Sequence, residues 1–303
     1  LVVRRFVPQR GWLLPAALML GLLALIWGGA FFFGGVAVRE VPPLTVTLHR
    51  VIWAIPFLYA VVWFKGIKIP RDPRTLGAYL VMGGLNNALP FSLLFWGQTQ
   101  ISSGLSSILN GTTALIGVVV AGLLLKDERL TRAKIIGVLF GLAGVIVIMG
   151  PDALRDFNIT DLAQIAVLGS SLAYALAGVW AKLNLSNQPP QMNALGMVTG
   201  SVIWMIPLVL IIDGVPEMSH RPAVWGALLG LAVICTALAY QLYFSILARA
   251  GSANLMLVTL LIPPFAIGLG VLFLDEVLSP SAMIGFALIA LGLLIIDGRL
   301  FKR

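Results

Sequence analysis

Two ionisable side chains, His49 and Arg50, fall inside an apolar run, several residues from the nearer end of 44–64. An arginine in such a run costs about 2.5–3.5 kcal/mol on insertion scales, so its presence needs a reason. One reason is recognition of a carboxylate by the planar fork of N–H donors. The other is a long side chain snorkelling back to the headgroups, or a structural pairing. A histidine there can carry a proton near neutral pH. The other polar groups within the runs are uncharged. Asn86 and Asn87 stand at the centre of 76–98, just ahead of Pro90, and Asn110, Thr112 and Thr113 surround Gly111 in 102–124. Ser170, Ser171 and Tyr174 lie in 162–184, and Thr236, Tyr240 and Tyr243 recur at helical spacing on one face of 222–247. For any one of them, interhelical hydrogen bonding at about 0.6 kcal/mol competes evenly with solute binding. Mid-depth polar patches on several runs together point to a hydrated cavity for a neutral or zwitterionic solute. The expected wall comprises Trp27, Asn87, Asn110, Tyr174, Tyr240 and Tyr243, with His49 and Arg50 as its ionisable members. Neighbouring helix residues point about 100° apart. Asn87, in a stripe with Phe91, Leu94 and Gln98, is therefore expected to face the cavity, and Asn86 to pack.

The missing chemistry narrows the field. All 12 acidic residues fall in loops or at run ends, none at mid-depth. A mid-membrane carboxylate is the usual proton carrier and cation counter-ion of a transporter, so its absence argues against proton-coupled export of cations. One cysteine, Cys235, and two histidines, His49 and His220, build neither a disulfide framework nor a metal centre. No H-E-x-x-H, G-x-S-x-G or phosphate-binding Gly-Lys-Ser/Thr pattern occurs. The expectation is that the protein is not an enzyme and needs no metal and no cofactor.

Long helices must carry these residues. The chain of 303 residues is 59% hydrophobic and only 11% charged, with a mean hydropathy of +1.01. A soluble domain carries roughly a quarter charged residues. Runs of membrane length cover 13–38, 44–64, 76–98, 102–124, 132–149, 162–184, 191–213, 222–247, 253–274 and 279–297. The first run follows Arg4, Arg5 and Arg10, but it is too long for a signal peptide and no small-residue cleavage site follows, so it is expected to be retained. Residues 112–150 align without a gap on 260–298, matching Gly122, Asp127, Glu128, Gly137, Gly144 and Gly150 to identical residues. The chain is a duplication: 1–150 is the first five-helix repeat and 151–303 the second, both forming one membrane domain. An odd number of helices per repeat turns the second copy upside down. The fold class is thus all-α integral membrane, ten transmembrane helices in two inverted five-helix repeats. Basic residues crowd one side: the head, Lys65–Arg74, Lys126–Lys134, Lys182, Arg249 and the tail, against Arg39, Arg155 and Arg221 on the other. The positive-inside bias puts both termini in the cytoplasm. That bias accounts for the net charge of +8 without nucleic acid. Lys126, Arg129, Arg132 and Lys134 align with Leu274, Val277, Pro280 and Ala282, so the second copy keeps the acidic pair but loses the charges that select orientation.

Inverted repeats of this kind are a transporter signature, with the site near the midplane. The duplication, the acidic turn closing the fourth and ninth helices, Trp27-Gly28 and Arg50 together resemble the drug/metabolite transporter superfamily, in its ten-helix EamA-type branch. Within it the chain looks like the aromatic amino acid exporters. The resemblance implies a central cavity lined by helices 1, 3, 4, 6, 8 and 9. It also implies alternating-access export of amino acids and related small metabolites across the inner membrane, aromatic or hydrophobic ones foremost. Competing readings are a proton-coupled exporter of lipophilic cationic drugs, an integral-membrane enzyme and a scaffold. Expected partners are the solute and the lipid bilayer. The small-residue pairs Gly137/Gly141, Gly196/Gly200 and Gly226/Gly230 fit packing within a monomer better than a dimer face. Pro263-Pro264 is expected to interrupt the ninth helix.

Overall fold

The computed structural model describes residues 13–125, 130–149, 159–243, 245–246 and 258–297. The head, the first acidic turn with Asp127 and Glu128, the link 150–158, Arg249 and the tail lie outside the described residues. Everything regular among the described residues is helical. In chain order the helices are α1 (Leu13–Ala37), α2 (Pro43–Ile52), α3 (Ile55–Phe64), α4 (Pro73–Gly83), a π-helix π1 (Gly84–Ala88), α5 (Leu89–Gly97), α6 (Ser103–Asn110) and α7 (Thr113–Leu124). Then come α8 (Arg132–Met149), α9 (Ile159–Asn184), α10 (Pro190–Ile212), α11 (Pro222–Leu229), a second π-helix π2 (Gly230–Leu238), α12 (Val258–Phe273) and α13 (Pro280–Asp297).

Local chemistry explains the starts. Asp72 accepts from Thr75 N at 2.8 Å ahead of Pro73, and Ser102 accepts from Leu105 N at 3.1 Å. Thr131 and Ser279 do the same for Lys134 N and Ala282 N at 3.3 and 3.2 Å. Each satisfies an N–H that the first helical turn leaves free. Several runs read as single helices are composite: α2 breaks from α3 at Trp53–Ala54, ahead of Pro56, and α6 from α7 at Gly111–Thr112. One expectation fails in the other direction. Pro263 and Pro264 sit inside a continuous α12. Gly28 packs on it there, with space for a Cβ only 3.2 Å from Ile262 O and 3.0 Å from Ala266 N. Close packing by α1 holds the segment helical despite the lost N–H donors.

Seven helical stretches among the described residues are long and apolar enough to cross a membrane: Leu18–Ala37, Pro43–Phe64, Pro73–Gly97, Ser103–Leu124, Thr160–Asn184, Pro190–Ile212 and Pro222–Tyr243. Large apolar side chains such as Trp63, Phe64, Ile203, Ile211 and Ile212 face outward, as a lipid-facing surface requires. One core gathers α1 to α5 with π1, α10, α11, π2, α12 and part of α9, and a second gathers α6 to α9 with α13.

The duplicated glycines settle how α8 and α13 lie. A Cβ on Gly137 would stand 2.5 Å from Gly292 O, and one on Gly144 2.6 Å from Gly285 O. At the offset of 148, Gly137 corresponds to Gly285 and Gly144 to Gly292. The contact is therefore reciprocal and the numbering runs in opposite senses. The two copies of one helix cross antiparallel, backbone against backbone, about a local two-fold.

Contacts also sort the loops by end. Thr45 meets Asp213, Ser103 meets Glu276, and Arg221 pairs with Glu40. These share one end with Arg39, called here the Arg39 end. The 65–72 loop lies at the other, the Lys65 end.

Candidate functional site

Arg50 is 7% exposed and does not reach for the surface. It occupies the last turn of α2, where the carbonyl ends of the helix carry partial negative charge that favours a cation. Its Cζ lies 3.7 Å from the centroid of the Phe91 ring, so the guanidinium is stacked on an aromatic face. Nε donates to Thr236 Oγ1 at 3.1 Å, and Thr236 in turn donates to Leu231 O at 2.9 Å, five residues back along π2. The two terminal nitrogens hydrogen-bond to nothing among the described residues, yet they are not among the polar atoms sealed without a partner. Among the described residues no carboxylate pairs with Arg50. Asp213 accepts from Thr45 N and Oγ1 at 2.9 and 2.8 Å, capping α2 at its other end. Glu276 accepts from Ser103 N and Gly104 N at 2.7 and 3.1 Å, capping α6.

Beside Arg50 lies an amide–hydroxyl cluster. Asn87 is fully buried; its Nδ2 donates to Ser201 Oγ at 2.8 Å, and its Oδ1 accepts from Tyr240 OH at 3.3 Å. Asn86 is only partly buried, and its Nδ2 lies 3.2 Å from Asn87 Oδ1, 3.4 Å from Tyr240 OH and 3.5 Å from Met197 Sδ. The expected division is therefore reversed: Asn87 is the packing residue and Asn86 the one with open surface. The reason is π1. Its wider turn, closed by i→i+5 bonds, rotates the pair away from the directions that a regular helix gives. The same holds on the facing element, where Thr236 lies in π2 rather than on a uniform α face with Tyr240 and Tyr243.

The remaining expected wall residues divide. Trp27 and Tyr243 are partly buried with ring centroids 5.8 Å apart, and Tyr174 lies 6.3 Å from Phe91. Tyr174 thereby adjoins the Arg50 cluster through Phe91. His49, one residue from Arg50, turns elsewhere: its Nδ1 accepts from Trp53 Nε1 at 2.9 Å and its ring meets Trp225 at 5.4 Å. Asn110 is not brought to Asn86, Asn87 or Tyr240. It ends α6, and its carbonyl lies 3.5 Å from Ser171 Oγ of α9. A recess of about 240 Å³ opens at the Arg39 end, lined by Gly35, Arg39, Gln98, Ser103 and Glu276 among others. It shares no residue with the Arg50 cluster, and its carboxylate is committed to helix amides.

A model of the EamA-like transporter family matches the chain twice, over residues 14–150 and 161–297. The chain belongs to the EamA-like transporter family. It is a multi-pass membrane transporter of two-repeat architecture, within the drug/metabolite transporter superfamily. It is 26% identical over 281 residues to a Bacillus subtilis protein named "Uncharacterized transporter YoaV", covering 91% of this chain and 94% of that one. It is 27% identical over 289 residues to an Escherichia coli protein named "Probable amino-acid metabolite efflux pump", covering 90% and 92%. A solved structure described only as "Crystal structure of protein" shares the fold with a TM-score of 0.67 at 19% identity, covering 95% of this chain and 99% of that one.

In this transporter, two contributors escaped sequence reasoning. Ser201 and Met197 of α10 complete the amide cluster. The available signal was Gly196/Gly200: small residues there bring α10 against α4, with space for a Cβ on Gly200 only 2.5 Å from Tyr79 O. Phe91 was legible as a stripe residue but not as the platform under Arg50.

Proposed function

We propose that the chain is a secondary transporter exporting amino acids, aromatic and apolar ones foremost, with related small metabolites, across the inner membrane by alternating access. Arg50 carries this reading: a buried guanidinium with open donors, beside neutral amides, hydroxyls and aromatic rings. Such a set offers a charged fork for a carboxylate, adaptable donors and acceptors, and apolar surface for a side chain. It disfavours the competing reading, export of lipophilic cations, because a cation would enter beside a positive charge that no described carboxylate neutralises. The name of the Escherichia coli relative supports the amino-acid reading. The reading includes ten spans in inverted five-helix repeats. The antiparallel crossing of α8 and α13 supports the inversion, and the basic Lys65 end supports cytoplasmic termini. It treats the protein as a carrier rather than an enzyme or scaffold, working as a monomer in the bilayer.

The test is flux in proteoliposomes of purified protein, with labelled amino acids set against a lipophilic phosphonium cation, with and without a proton gradient. Amino acid flux that persists without the gradient is expected, since no described carboxylate lies at mid-depth. Cation flux with no amino acid flux would replace this reading by the alternative.

A further inference from the structure

The charges around the cluster are lopsided, and this bears on which solutes the site selects. Arg50 offers a flat fork whose one face is covered by Phe91 and whose Nε is taken by Thr236. That leaves the edge carrying the two terminal nitrogens, the part that matches a carboxylate in two parallel bonds. Among the described residues no free carboxylate stands beside it to receive an ammonium group. Among the described acids, Asp213 is held by Thr45, Glu40 by Arg221, Glu276 by the amides of Ser103 and Gly104, and Asp72 by Thr75 N. Asp161, Glu217, Asp275 and Asp297 lie at helix ends or in loops. A bound zwitterion would thus neutralise Arg50 and leave its own ammonium without a counter-charge. A monoanion of the same shape would leave the site neutral. Burying an uncompensated charge is the costlier outcome.

Resting on the transport reading above, we propose that this site selects its solute by the carboxylate and not by the amino group. Its substrate class is apolar and aromatic monocarboxylates. The 2-oxo and 2-hydroxy acids share the site with the amino acids of the same side chain, and the corresponding amines are excluded.

Binding to the purified full-length protein tests this directly, by thermal shift, independently of flux. The probes are phenylalanine, 3-phenylpyruvate, 3-phenyllactate and phenethylamine, with the leucine, 4-methyl-2-oxopentanoate and isoamylamine series beside them. Saturable stabilisation by the oxo and hydroxy acids is expected at concentrations no higher than the amino acid needs. The amines should need about ten- to a hundredfold more, the scale of a lost charge-assisted contact. In Arg50→Gln the carboxylates should weaken by a similar factor, and Arg50→Lys should recover part of it. If Arg50→Gln does not fold, the wild-type series alone decides. Amines that bind as well as the acids would overturn the proposal, as would amino acids that bind while oxo acids do not, or carboxylates that fail to bind in both series. Carboxylate binding without liposome flux would support the selectivity and refute the transport reading instead.

Discussion

Replacing the two adjacent amides separately should produce opposite phenotypes. Asn87→Leu removes a buried side chain of similar volume together with three contacts, to Ser201 Oγ, Tyr240 OH and Asn86 Nδ2, at 2.8, 3.3 and 3.2 Å. Interhelical hydrogen bonds in membrane proteins average about 0.6 kcal/mol, so three come to about 2 kcal/mol. Ser201 limits the damage, because its hydroxyl still reaches Met197 O at 2.7 Å and Gly83 O at 3.1 Å. At about 2–4 °C per kcal/mol, Tm in detergent should fall by about 4–8 °C. Asn86→Leu removes contacts of 3.2–3.5 Å from a partly buried side chain, at the long edge of useful hydrogen bonding. Its Tm should fall by less than about 4 °C, while KM for the transported solute rises. Intrinsic-fluorescence melting and proteoliposome flux on the same preparations separate the two effects. A large Tm loss with unchanged KM in Asn86→Leu, together with a stable Asn87→Leu impaired only in flux, would refute the role assigned to the π1 turn.

Gly144→Val adds a Cβ that would stand 2.6 Å from Gly285 O and 2.8 Å from Ile289 Cγ1, with further atoms beyond it. Overpacking of this kind costs about 1–3 kcal/mol, so a lower Tm is expected, whereas Gly117→Ala, with open space around it, should leave Tm nearly unchanged. In the proposed orientation, cysteines at Lys68 and Val277 should label from opposite faces of the membrane, Lys68→Cys from the cytoplasm and Val277→Cys from outside. Labelling of both from one face would contradict the inverted topology, and the buried Cys235 contributes little background.

Much of the architecture was written locally in the chain. Hydrocarbon thickness sets how long an apolar run must be, so the helical stretches were legible from hydropathy, and Ser279-Pro280 and Thr131 marked helix starts that the structure shows capped. The duplication was legible because both copies kept their glycines. It took the structure to show what they are kept for: Gly137 and Gly144 meet Gly292 and Gly285 directly. Arg50 was visible as an anomaly, with two explanations open. Only packing showed that its side chain does not reach for the surface, because Phe91 and Thr236, which hold it, come from other helices.

Side-chain direction was the part that sequence alone could not determine. The 100° rule assumes an unbroken α-helix, and this chain departs from it at 84–88, 230–238, 53–54 and 111–112. A π turn has poor intrinsic geometry and persists where neighbouring elements reward it. Here the reward comes from Ser201 for the first π turn and Arg50 for the second, both distant in the chain. Hydrophobic length and repeat therefore determined which segments are helices and that the halves are copies. Which face of each helix turns inward was decided by tertiary contacts, because the groups that stabilise each π turn come from distant parts of the chain, and the change in winding redirects the side chains around it.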